Sequence, residues 1–134
     1  MLDTSTVILL GRIKDPAALP EEAVISAITL AELSVGPHVA KDEAERAARQ
    51  AHLQQAEADF DVLVFDADAA RVFGTVAASL RASGRKPAAR AYDALIAASA
   101  IAYGLPLYSC NPTDFDAIPQ LDLRTVPHPD HTDT

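Results

Sequence analysis

Hydrophobic positions along the chain fall into two alternating patterns: short β-branched runs, and longer stretches with apolar residues every third or fourth position. Leu2 closes a very short first strand, and a helical run follows from Thr4 to about Ile13, with Val7, Ile8 and Leu10 apolar. After a loop carrying Pro16 and Pro20, residues 24–28 (VISAI) read as a buried second strand. Thr29 then opens a helix to about Val35, where Gly36-Pro37 breaks it. Residues 41–59, rich in Ala, Glu, Arg and Gln, form the clearest amphipathic helix. Residues 61–65 are a third strand, and Asp66 caps a helix to about Ala82 that Ser83-Gly84 ends. A basic connection over 85–91 leads into a strongly apolar helix over 92–104. Residues 105–109 are a fourth strand, a short turn covers 112–118, and residues 121–126 are a fifth strand. Residues 127–134 read as a frayed tail.

Strands alternating with helices predict an α/β, three-layer fold: a central parallel sheet of four to five strands flanked by helices and joined by right-handed crossovers. One domain over residues 1–126 accounts for the pattern, and no repeat or linker divides it. In a parallel sheet every strand ends at the same edge, and ligands bind beyond those carboxyl ends. The residues that follow each strand therefore matter most. Asp3 follows the first strand, Glu32 sits in the first turn after the second, and Asp114 lies just beyond the fourth. Asp93 begins the helix that runs down into the fourth strand, and such a helix must start at that same edge. Topology alone thus brings four carboxylates together.

Each acid also has a purely structural reading. Thr29-x-x-Glu32 matches a capping box. Asn111-Pro112 followed by Asp114 matches an N-cap, a proline at the first helical position and an acid at the positive helix end. Asp3 could cap the helix at Thr4. Asp93 opens an almost wholly apolar run, where an ionised carboxylate is costly unless Arg90 or a metal balances it. Crowded carboxylates raise one another's pKa values, and a divalent cation removes that penalty. All-oxygen donors suit Mg²⁺ or Mn²⁺. Two such ions can activate water and stabilise the leaving oxygen in a phosphodiester displacement.

Charge sharpens this picture. The chain has 134 residues and a formal net charge of −8, which argues against sequence-reading DNA binders and anionic membrane surfaces. It leaves room for a nuclease whose bound cations meet the phosphate. Walker-type, GxGxxG and GxSxG motifs are absent, and His38, His52, His128 and His131 are scattered. Cys110 is the single cysteine and fits a reducing compartment. The N-terminus lacks a signal peptide's basic start, and no run approaches the roughly 20 apolar residues that span a bilayer, so a soluble, cytoplasmic protein is expected. A phosphoacceptor receiver domain would want a lysine after the fifth strand, and none occurs after Lys86.

Four stretches, Leu2-Asp3-Thr4-Ser5, residues 28–33 (ITLAEL), residues 93–100 (DALIAASA) and residues 111–115 (NPTDF), resemble in order and spacing the PIN domain, specifically VapC-type toxin ribonucleases of toxin–antitoxin pairs. The resemblance implies Mg²⁺- or Mn²⁺-dependent cleavage of RNA, of the transfer or ribosomal class. It also implies a homodimer and a VapB-type antitoxin that blocks the active edge. Asp3, Glu32, Asp93 and Asp114 would be catalytic metal ligands, with Ser5 and Asn111 in support. Arg81, Arg85, Lys86 and Arg90 form the one compact basic patch and could hold RNA phosphates. The sequence departs from the family pattern at Cys110, where a basic residue is common, and in offering Asp116 as a second acid near Asp114. The alternative function is a catalytically silent PIN-fold binding module.

Overall fold

The chain, whose residues 1–86 and 90–131 are described by a computed structural model, builds its sheet around its own first three residues. Leu2 bridges in parallel to Ile25 on one side and to Tyr108 on the other. Its N–H donates to the Val24 carbonyl at 3.0 Å, and the Tyr108 N–H donates to the Met1 carbonyl at 2.8 Å. Outward from this centre, β1 (Val24–Ser26) pairs with β2 (Asp61–Leu63), and β3 (Leu107–Ser109) pairs with β4 (Leu123–Thr125). All pairings are parallel, in the order β2, β1, residues 1–3, β3, β4. This is the parallel sheet the alternating pattern predicts.

Side chains alternate across the sheet with period two, so both faces can be apolar. Met1, Val24, Leu63, Leu107 and Leu123 face one way, into a core with Val76 and Leu80 of α4 (Ala67–Ala82) and Ala94, Ile96 and Ala97 of α5 (Ala91–Ala102). Leu2, Ile25, Val62 and Tyr108 face the other way. There they meet Val7 of α1 (Thr4–Leu9), Leu33 of α2 (Ala27–Val35), and Leu53 and Ala56 of α3 (Glu43–Asp59). The result is three layers.

Element ends differ from the sequence reading where a side chain competes for the backbone. The second strand stops at Ser26, because the Ser26 hydroxyl accepts from the Ile28 N–H at 3.0 Å and starts α2 two residues before Thr29. Asp42 caps α3 in the same way, accepting from the Glu45 N–H at 2.8 Å. Asp66 caps α4 as expected, and Gly84, at φ 81°, takes the left-handed turn that follows its end. Beyond β4, the Val126 N–H donates to the Ser109 carbonyl at 2.8 Å, Pro129 is buried and Asp130 pairs with Arg12. Residues 132–134 of the segment read as a tail, and 87–89 of the basic connection, lie outside the described residues. Among the described residues, no helix is long and apolar enough to cross a membrane.

Candidate metal centre

Asp3 leaves the sheet centre at its carboxyl edge and is only 3% exposed. Its carboxylate caps α1, accepting the Thr6 N–H at 3.0 Å. It also accepts the Ser109 hydroxyl at 2.6 Å, the Ser5 hydroxyl at 3.1 Å and the Thr6 hydroxyl. The anion is thus held by neutral donors from α1 and from the end of β3. The capping role and a place at the acidic edge are compatible, since a carboxylate offers about four lone-pair positions.

Glu32 lies in the second turn of α2, and the capping box with Thr29 does not form. Thr4 instead donates its hydroxyl to Glu32 Oε1 at 2.7 Å, with Thr29 Oγ1 3.1 Å from the same Thr4 oxygen. A hydroxyl has one proton, so Glu32 and Thr29 compete for the Thr4 proton, and Glu32 is the nearer acceptor. Burial raises the Glu32 pKa, the Thr4 bond works against that rise, and the Asp3 charge adds to it.

Asp93 sits in the first turn of α5, where the helix dipole favours an anion. Its pKa is nevertheless raised to about 6, by burial first and then by the charges of Asp114, Glu32 and Asp3. Arg90 pulls in the opposite direction. Asp93 therefore feels the charges of the other three sequence-predicted acids, from residues as far apart as 3 and 114. The Arg90 guanidinium does not pair with Asp93, the partner suggested by sequence proximity. It donates from Nη1 to Asp114 Oδ1 at 2.6 Å. Asp116 pairs with Arg85 Nη2 at 2.6 Å, and of the two acids it is Asp114 whose charge acts on Asp93.

Ser5 touches Asp3, and the Asn111 N–H donates to the Ser109 hydroxyl at 2.9 Å, while the Asn111 side chain does not cap the turn at Pro112–Asp114. Of the basic patch, Arg85 and Arg90 both grip the turn carrying Asp114, whereas Arg81 and Lys86 are exposed. Thr4, Thr6 and Ser109 are the polar residues that sequence reasoning missed. Thr6 links the Asp3 carboxylate to the Cys110 N–H, which donates to it at 3.0 Å. Burial pushes the Cys110 thiol pKa up, so it stays protonated beside the acids.

Among the described residues, no three His, Cys, Asp or Glu side chains lie together as a ready-made metal site. The acids are neighbours whose charge is only partly offset by Arg90. The donor chemistry, carboxylate oxygens alone, suits a hard divalent cation.

Fold and site together define an α/β domain with a set of acidic residues at the carboxyl edge of a parallel sheet. The PIN domain family matches residues 1–121, and the chain belongs to that family, in its VapC type. It is 33% identical over 130 residues to Ribonuclease VapC of Rickettsia bellii, covering 95% of this chain and 96% of that protein. With Ribonuclease VapC5 of Mycobacterium tuberculosis it shares 38% identity over 120 residues, covering 88% of this chain and 86% of that one. Among solved structures it is similar to VapBC-5 of Mycobacterium tuberculosis, a member of the VapBC family of toxin–antitoxin systems, with TM-score 0.78 and 35% identity over 93% of this chain and 94% of that chain. VapBC2 of Rickettsia felis, solved bound to a DNA fragment from its promoter, matches with TM-score 0.76 and 26% identity over 93% and 96%.

Proposed function

We propose that this chain is the toxin of a VapBC pair, an endoribonuclease that hydrolyses RNA phosphodiester bonds with Mg²⁺ or Mn²⁺ held by Asp3, Glu32, Asp93 and Asp114. The observation that carries the reading is the coupling of four acids from four separate segments at the carboxyl edge of the sheet, in a chain of the VapC type. A divalent cation there supplies the positive charge that draws in the scissile phosphate and activates water. The protein's own groups do the rest. Ser5, Thr6 and Ser109 fix the Asp3 carboxylate before any ligand arrives, and Thr4 fixes Glu32. Such fixed ligands lower the reorganisation needed at the moment of reaction. Asp93, whose pKa is raised to about 6, would hold the cation as its carboxylate.

Partners follow from the relatives. VapBC-5 is a member of the VapBC family of toxin–antitoxin systems, which supports a VapB-type antitoxin here that inhibits by covering the acidic edge. The substrate belongs to the structured RNAs of the transfer or ribosomal class, the chain acts as a homodimer, and its place is the cytoplasm. The test is to incubate purified, antitoxin-free protein with total cellular RNA and Mn²⁺, beside Asp3→Asn, Asp93→Asn and an EDTA control. Discrete fragments from wild type alone are expected. Cleavage surviving both substitutions would reject the mechanism, and silence in every lane, with Mn²⁺ still bound, would leave a binding module.

A further inference from the structure

The acidic edge carries its own internal cation. Arg90, at the N-terminal end of α5, reaches across 24 positions to Asp114, and the two side chains are 36% and 37% exposed. Arg85 grips the same turn differently, donating from Nη1 to the Thr113 carbonyl at 3.0 Å and pairing through Nη2 with Asp116. Both arginines fasten one turn, yet only Arg90 engages a carboxylate of the acidic set.

We infer that Arg90 stands in for the divalent cation: it occupies Asp114 in the metal-free protein and must release that carboxylate for the metal to take it, so Arg90 sets the affinity of the site. The inference rests on the reading of these acids as metal ligands. Four neighbouring carboxylates repel one another, and Arg90 lowers the cost of holding them without a metal. Whatever stabilises the metal-free state weakens metal binding by the same amount. A guanidinium does not lose its charge at any pH the fold survives, so the exchange occurs by movement of the side chain. Its partial exposure leaves it room to move. Arg85 has no such exchange to make, because its acceptors lie outside the set.

The test is Mn²⁺ binding by calorimetry on the full chain, for wild type, Arg90→Gln, Arg90→Lys and Arg85→Gln, with Asp93→Asn as the blank. Thermal midpoints in EDTA and in saturating Mn²⁺ accompany each titration. Losing a charge-assisted bond that competes with the ion should make Arg90→Gln bind Mn²⁺ about tenfold more tightly. The same variant should melt lower in EDTA and gain more from Mn²⁺. Arg85→Gln should stay within about twofold of wild type, which separates a specific exchange from a general change of charge. If Arg90→Gln does not fold, Arg90→Lys, which keeps the charge but replaces the planar guanidinium that reaches Asp114 through Nη1, should still bind measurably more tightly than wild type. Affinity unchanged or weakened in the folded Arg90 variants overturns the inference and leaves the metal site standing. No saturable Mn²⁺ binding by wild type would overturn the metal reading itself, and the inference with it.

Discussion

At Asp93 two costs add, burial of a charge and repulsion from three other acids, and together they raise its pKa from 3.8 to about 6. A carboxyl group with a raised folded pKa holds its proton longer in the native state than in the unfolded chain. Its contribution to stability is fully present below the unfolded value near 3.8 and is lost as pH rises through about 6. Asp93→Asn should therefore stabilise the metal-free protein at pH 7.5, by about 1–2 kcal/mol once solvent screening of this half-exposed group is allowed for. The gain should vanish near pH 3.5, as urea denaturation in EDTA at the two pH values would reveal; a constant difference would contradict the assignment. The same proton predicts that wild-type Mn²⁺ affinity falls as pH drops below about 6. Asp3 makes the opposite prediction for stability. Its carboxylate caps α1 and satisfies three hydroxyls, so Asp3→Ala should cost about 2–4 kcal/mol, while Asp3→Asn, which keeps one acceptor oxygen, should cost less. Cleavage should be lost in both.

Among the elements, α2 shows how a helix start can carry function. Ser26 is fully buried, caps the helix and lies 3.5 Å from the Ser99 hydroxyl of α5, so one residue fixes both the start of α2 and its contact with the opposite layer. Ser26→Ala should destabilise the fold by about 1 kcal/mol through the lost cap. Because α2 also carries Glu32, Mn²⁺ affinity should fall with it; a stability loss without any change in Mn²⁺ binding would separate the cap from the site. This start was not legible in the sequence. VISAI continues its β-branched pattern past Ser26, and only the tertiary fold shows that the serine side chain turns back on the backbone. The later helices were legible, because Asp66 and Ser83-Gly84 are local signals read by neighbouring residues. That Asp3, Glu32 and Asp114 would act on Asp93 was also legible, since all strands of a parallel sheet end at the same edge. The hydroxyls of Thr4, Thr6 and Ser109 were not, being common residue types whose partners are set by packing. Arg90 misled for the same reason: Asp93 is near in sequence, but Asp114 is near in space.

For the molecule as a whole, an RNA substrate, as proposed, would bring a polyanion to a chain of net charge −8, and the two repel except where cations intervene. Arg85 and Arg90 are tied to Asp116 and Asp114, so Arg81 and Lys86 are the members of the basic patch without an ion pair among the described residues. RNA affinity should accordingly rest on the metal-loaded acids and a few phosphate contacts. With two to four such contacts, the logarithm of affinity should fall with the logarithm of salt at a slope of about −1.4 to −3, on the single-strand scale of roughly 0.7 per contact. Fluorescence anisotropy with a short labelled RNA and the Asp93→Asn protein, which is expected not to cleave, would measure it across a salt series. The double variant Arg81→Gln, Lys86→Gln should flatten the slope by about 1.4 if both side chains touch phosphate. An unchanged slope would return them to the role of a solvated helix end. A slope steeper than about −5 would require more basic groups than this edge of one chain supplies, and would place part of the RNA-binding surface on a second copy.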